Sequence, residues 1–166
     1  MAERATARKV AAFTRAVIKD DRHSLPIALL RAREAVMASF RPHHRKGGVT
    51  EQQWRVIRVL HFGGEMDATQ LAERSYLLPP SLSRILKDLE AADYIRRRPG
   101  QDTRQSLLSL SPKGTAMVMR VAPFLDGIHR DIARRFGRER FDRLLVLLAE
   151  LQDVLTARDG TGRQQE

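Results

Sequence analysis

The sequence predicts a mainly helical fold with one small β-hairpin. Three observations carry this. Apolar residues recur at helical spacing, most plainly at Leu82, Ile85, Leu86 and Leu89, the i, i+3, i+4, i+7 pattern of one buried face. Helix-start chemistry stands where such segments begin, with Thr50 and Gln53, Asp67 and Gln70, and Ser111-Pro112. Strand character is confined to Tyr94–Arg98 and Gln105–Leu110, joined by the turn-forming Pro99-Gly100-Gln101-Asp102.

Taken in order, residues 1–22 read as a basic arm or a frayed helix. Arg4, Arg8, Lys9, Arg15, Lys19 and Arg22 outweigh Glu3, Asp20 and Asp21, and the apolar face around Val10–Ile18 is thin. Such an arm touches phosphates, reaches a second subunit or is simply solvated. The first firm helix starts near Ser24-Leu25-Pro26 and runs to Phe40, with an apolar stripe of Leu29, Leu30, Val36, Met37 and Phe40. Arg41–Gly48 reads as a basic, glycine-ended loop. Thr50 and Gln53 cap a buried helix carrying Trp54, Ile57 and Leu60, which Gly63-Gly64 ends. A short helix follows through Leu71 to about Arg74, then a turn from Tyr76 to Pro79, then a helix opened by Pro80. After the hairpin, Ser111-Pro112 starts a long helix through Phe136, kinked at Pro123 and broken by Gly137. The last helix, Glu139 to about Ala157, has two apolar stripes: Phe141, Leu144, Leu145, Leu148, Leu151 and Leu155, then Leu147 and Val154. Residues 158–166 form a polar tail, expected to be disordered.

The 166 residues suffice for one core, and the balance of 42% hydrophobic and 30% charged residues is that of a folded chain. Thirty Lys and Arg against twenty Asp and Glu give a net charge of +10. That excess suits a polyanion, either nucleic acid or a membrane surface. Cysteine is absent, which excludes disulfides, thiolate metal sites and a cysteine nucleophile. The longest strongly apolar run, Leu144–Ala149, is too short to span a bilayer, and residues 1–22 lack a signal-like apolar stretch, so a cytoplasmic protein is expected. No phosphate-cradling glycine loop, nucleophile elbow or dense carboxylate cluster points to an enzyme, and neither metal nor cofactor is expected. His43-His44 alone do not make a zinc site.

A short helix, a brief turn and a helix with one polar face make a helix-turn-helix, and the hairpin directly after it makes a wing. On the helix opened by Pro80, Arg84, Lys87 and Asp88 lie opposite the apolar face, with Ser81 and Ser83 near its start. Free amides at that start favour a phosphate, short hydroxyls permit close approach, and Arg84 has the fork to read guanine. The alternative is that Arg84 and Lys87 merely solvate a surface helix. On the wing, Arg96 and Arg98 point together and Arg97 away. Arg104 at the tip reaches toward a minor groove, with Asp102 holding its guanidinium, or the two form an ordinary surface ion pair.

Leu71-Ala72, the run from Pro80-Ser81-Leu82-Ser83-Arg84 to Glu90, Asp102-Thr103-Arg104 and Leu110-Ser111-Pro112-Lys113-Gly114 together resemble the MarR family of bacterial regulators. Ile27–Glu34, Phe40-Arg41-Pro42 and Thr50–Arg55 are similar to its homoprotocatechuate-operon branch. The resemblance spans roughly residues 24–155. It implies a two-fold dimer, a palindromic double-stranded operator and repression relieved by a small ligand, for this branch a small aromatic acid of the hydroxyphenylacetate, benzoate or nicotinate type. Residues 50–111 are then the DNA-binding lobe, and 23–49 with 112–157 the helical dimerisation region.

The residues add their own case for a dimer. A last helix with two apolar stripes covers itself against a second copy, unless both stripes are buried within one subunit. Arg33 falls inside the stripe of the first helix, where a buried guanidinium needs a partner: the carboxylate of a ligand, or an Asp or Glu from elsewhere in the chain. Arg31, His43 and His61 are further candidates to line an effector pocket. The competing reading is a ligand-independent or nonspecific nucleic-acid-binding protein, which would not distinguish a palindrome from scrambled duplex.

Overall fold

The computed structural model describes residues 24–100 and 106–159. Among these, the order is α1 (Leu25–Lys46), α2 (Glu51–Gly63), β1 (Met66–Asp67), α3 (Ala68–Ser75), α4 (Pro79–Ala91), β2 (Ile95–Pro99), β3 (Ser106–Leu110), α5 (Pro112–Phe136) and α6 (Arg138–Asp159). The expected mainly helical fold with a small wing is therefore present. The chain divides into two compact units, one up to Val118 and one from Met119 onward, with the boundary inside α5. The basic arm, the hairpin tip with Asp102 and Arg104, and the tail from residue 160 lie outside the described residues.

The first unit holds most of the buried apolar residues. Trp54, Val56, Ile57 and Leu60 of α2, Leu71 of α3, and Leu82, Ile85, Leu86 and Leu89 of α4 are buried with Ile95, Leu108 and Met117. Each such side chain contributes about 1.5–3 kcal/mol on burial, so the apolar faces of three short helices decide this unit's stability. Local chemistry sets the ends. Gln53 N–H donates to Thr50 Oγ1 (3.2 Å) while Thr50 N–H donates to Gln53 Oε1 (2.9 Å), a reciprocal cap for α2. Gln70 N–H donates to Asp67 Oδ1 at 2.8 Å, starting α3.

The sheet has three strands rather than the expected two. Strand β3 is central, with β1 and β2 antiparallel on either side in the order β1-β3-β2. Met66 pairs with Leu108, and both are buried, so the two-residue strand is held by its side chain as well as its backbone. On β2 only Ile95 is buried; Arg96, Arg97, Arg98 and Pro99 are exposed. Pro99 sits opposite Ser106 at the strand's end, a position a residue without an amide tolerates.

The first helix corrects two expectations. It runs on to Lys46, so Arg41–Lys46 is helical and not a loop. Pro42 lies within it and removes one backbone hydrogen bond, but Phe40 and His44, one turn apart, are both buried. His44 stacks on Trp54 with centroids 5.7 Å apart and packs against Phe40 at 6.4 Å. That packing, with Arg45 and Lys46 in the last turn favourable to the helix dipole, offsets the proline. The predicted stripe is also largely open: Leu29, Leu30 and Val36 are exposed and Met37 is half-buried, leaving Phe40 as its buried member.

In the second unit, Gly137 at φ +94° separates α5 from α6, where a residue with a side chain would be strained. Helix α5 is continuous through Pro123. On α6, Leu144, Leu145, Val146, Leu147, Leu148, Val154 and Leu155 are all exposed. Among the described residues no helix is long and apolar enough to cross a membrane.

Candidate nucleic-acid interface

The site is built by the turn between α3 and α4. Ser75 ends α3, its hydroxyl donating back to the Leu71 carbonyl at 2.5 Å, while Arg55 of α2 donates to the Ser75 carbonyl at 3.2 Å. Tyr76 adopts a left-handed conformation (φ 51°), and the Leu77 amide donates to the Ala72 carbonyl at 3.1 Å. The chain thus reverses within Tyr76-Leu77-Leu78 and enters α4 at Pro79, one residue before the expected Pro80.

Helix α4 is sharply two-faced. Leu82, Ile85, Leu86 and Leu89 are buried; Pro80, Ser81, Ser83, Arg84, Lys87 and Asp88 are exposed. The predicted contact residues of this helix therefore share one open surface. One expectation about it is corrected. Its first turn is poor in free amides, because Pro79 and Pro80 have none and the Leu82 amide already donates to the Leu78 carbonyl at 3.0 Å. A phosphate finds at most the amide of Ser81 there.

Two exposed ion pairs link the wing to the lobe, beside the β1–β3 pairing. Arg97 Nε donates to Glu90 Oε1 at 2.8 Å, tying β2 to the last turn of α4. Arg98 makes a two-pronged contact with Glu65, Nε to Oε1 at 2.6 Å and Nη2 to Oε2, and the carboxylate raises the pKa of the guanidinium further. Arg96 is exposed. The base of the wing is fixed by the Ser-Pro-Lys-Gly motif. Ser111 Oγ donates to the Asp93 carbonyl (2.5 Å) and accepts from the Gly114 amide (3.0 Å), so one hydroxyl caps α5 and anchors it to the turn before β2. Lys113 Nζ donates to the Ala92 carbonyl at 2.7 Å and lies over the Tyr94 ring. A Cβ on Gly114 would overlap the Tyr94 carbonyl, so only glycine allows this approach.

The proposed effector residues do not form one cluster. Arg33 is exposed, not buried in an apolar stripe, and its partners are carboxylates of this chain: Nη1 bonds Glu34 at 2.7 Å, and Nη2 bonds Glu51. Arg41 also pairs with Glu34 (2.6 Å) and Glu51 (3.2 Å), and Arg55 with Glu51 at 3.4 Å. This network holds Glu34 below its usual carboxylate pKa, chiefly through the Arg41 hydrogen bond. Burial, with Arg33 nearby, lowers the pKa of Arg55. Arg31 is exposed on α1. His43 Nδ1 lies 3.3 Å from the Ser39 carbonyl on α1. His61 packs edge-on against Phe62 at 5.0 Å in the last turn of α2. Arg33 pairs with Glu51 at the other end of α2, ten residues or ~15 Å along the helix from His61. Sequence reasoning missed the Glu34–Glu51 network and the burial of His44. The spacing of Arg33, Arg41 and Arg55 around two glutamates was the available signal.

The comparisons with known proteins agree with this geometry. A sequence profile described as MarR family matches residues 47–105. The homoprotocatechuate degradative operon repressor of Escherichia coli is 40% identical over 144 residues, covering 86% of this chain and 94% of the repressor. Among solved structures, NadR in complex with 4-hydroxyphenylacetate matches with a TM-score of 0.74 and 36% identity, over 81% of this chain and 98% of that one. The repressor CouR bound to a 23-mer DNA duplex matches with a TM-score of 0.72 and 27% identity, over 78% of this chain and 92% of that one. Identity at this level across most of both sequences, on a winged lobe with the same build, places the chain in the MarR family of transcriptional regulators.

Proposed function

We propose that the protein is a dimeric repressor that binds a palindromic DNA duplex through α4 and the wing, and that a small aromatic carboxylate releases it. The observation that carries the DNA reading is the outward face of α4, where Ser81, Ser83, Arg84 and Lys87 stand exposed above a fully buried apolar face. In this reading Arg84 contacts a base edge, Ser81 and Ser83 allow close approach, Lys87, Arg96 and Arg98 contact the duplex backbone, and Arg104 reaches a minor groove with its guanidinium held by Asp102. Residues 50–111 are the DNA-binding lobe. Residues 23–49 and 112–157 provide the dimer interface, for which the exposed leucines and valines of α6 supply the apolar surface.

The effector reading rests on charge. Three guanidinium groups, Arg33, Arg41 and Arg55, converge on two carboxylates, Glu34 and Glu51, leaving a net positive site at the junction of α1 and α2. One further carboxylate balances it, and a ligand that takes Arg33 from Glu51 loosens a tie between α1 and the lobe. The relative crystallised with 4-hydroxyphenylacetate makes a hydroxylated phenylacetate the first candidate. Arg31, His43 and His61 are secondary contacts. A coupling of about 1–3 kcal/mol would lower operator affinity several-fold to a hundred-fold.

The test is a titration of a labelled, protein-selected duplex with 4-hydroxyphenylacetate, benzoate and nicotinate. Release by at least one acid, abolished in Arg33→Ala, is expected. Unchanged affinity with all of them would leave a ligand-independent repressor.

A further inference from the structure

The start of α4 is apolar as well as short of amides. Leu78, its N-cap, offers no side-chain oxygen to the helix and is 74% exposed. Pro79 and Pro80 follow it, both exposed. Behind them lies an open groove of about 600 Å³, lined by Tyr76, Leu77, Leu78, Pro79, Leu82 and Ser83 among others. An exposed leucine at a helix tip forgoes its burial, so a partner that covers it regains that energy.

We propose that Leu78, Pro79 and Pro80 form a tip that recognises thymine methyl groups in the major groove. The inference rests on the reading of α4 as the DNA-contacting helix. Charge complementarity identifies the occupant: the same helix carries exposed Arg84 and Lys87, in a chain of net charge +10. A recognition helix meets base edges with its first residues, and here Leu78, Pro79 and Pro80 carry no side-chain donor or acceptor, Ser81 being the first residue that does. The apolar feature of a base pair in the major groove is the thymine C5-methyl. Leucine and proline therefore distinguish bases only by that group, while Ser81, Ser83 and Arg84, farther along α4, supply the polar contacts. Sequence preference at the tip position should be for thymine, with no requirement for a donor or acceptor.

The experiment needs no knowledge of the natural operator. A duplex is selected by the full-length protein from a random pool. Each thymine of one half-site, and its symmetry mate, is then replaced by deoxyuridine, which removes the methyl and nothing else. At one or two positions per half-site affinity should fall about fourfold for each methyl lost. Leu78→Ala, at an exposed site where folding is not at stake, should bind the thymine and uracil duplexes equally at those positions. Equal affinity of the wild type for every uracil duplex overturns the proposal while leaving DNA binding intact. So does Leu78→Ala with undiminished discrimination, which would place the methyl contact on other residues. Failure to select any duplex overturns the DNA reading itself, and this inference with it.

Discussion

Arg98 of the wing grips Glu65, thirty-three residues earlier, with both prongs of its guanidinium. The arginine is largely exposed, so the pair contributes little to stability, and a phosphate can compete for the same donors. Glu65→Gln is therefore predicted to free Arg98, tighten duplex binding and steepen its salt dependence by about 0.9 in log–log slope, one phosphate contact. Salt titrations of the two proteins check this. Weaker binding in Glu65→Gln would mean that Glu65 positions Arg98 rather than restrains it.

Arg84 and Arg104 should fail in different ways. Arg84→Ala is expected to lose about 1–3 kcal/mol of discrimination at one base pair of each half-site and to relax preference there. Arg104→Ala should weaken binding to all duplexes alike. Affinities measured across a set of single-base operator variants separate the two patterns. Equal affinities of both variants and the wild type would remove these roles.

Gly114 is held against the Tyr94 carbonyl, where a Cβ would overlap backbone. Gly114→Ala should cost about 1–3 kcal/mol of stability, the usual penalty of forced overpacking. Chemical denaturation followed by circular dichroism reads it as a lower midpoint with an unchanged slope.

His44 gives the fold a pH dependence. Its ring is buried, both nitrogens lack a hydrogen-bond partner, and burial above all, with the neighbouring His43 charge, pulls its pKa below the ordinary 6.5. The unfolded chain thus takes up this proton first as pH falls. The stability contributed by neutral His44 is complete above 6.5 and is lost as pH drops from there toward the lower folded-state value. His44→Leu should flatten the curve of stability against pH between about pH 7 and 5. An unchanged curve would place the sensitivity elsewhere.

The polar and apolar faces of α4 were legible because burial at helical spacing leaves a strong trace, and four leucine and isoleucine positions fix which residues point outward. The caps at Thr50 and Asp67 were legible for the same reason: their chemistry is local. What escaped was set by tertiary contact. Strand β1 is two residues long and exists only because Met66 meets Leu108. Helix α1 passes Pro42 because His44 stacks on Trp54, ten residues on. Arg33 was placed by its spacing among apolar residues, yet its environment is decided by Glu51, on another helix. The apolar character of the start of α4 was in plain view as Leu78-Pro79-Pro80, but it required the observed helix start to show that two of the first four amides are missing.

The exposed stripe of α6 predicts that Leu145→Glu disrupts the dimer. Leu145 is 52% exposed beside Leu144, Leu148 and Leu155, which are exposed as well. Sedimentation should give a monomer at micromolar concentration for the variant and a dimer for the wild type. A dimeric variant would move the interface off this helix.

Specific binding requires two copies of α4 to read one duplex, about one helical turn or ~34 Å apart. The direct measurement is the affinity of the wild type for a selected palindrome, for the same half-sites with half a turn (about five base pairs) inserted between them, and for scrambled sequence at equal salt. Binding should be strong to the palindrome, with two chains per duplex, and should fall to the level of scrambled DNA on insertion. Equal affinity for all three would contradict it and leave only a basic protein holding phosphates.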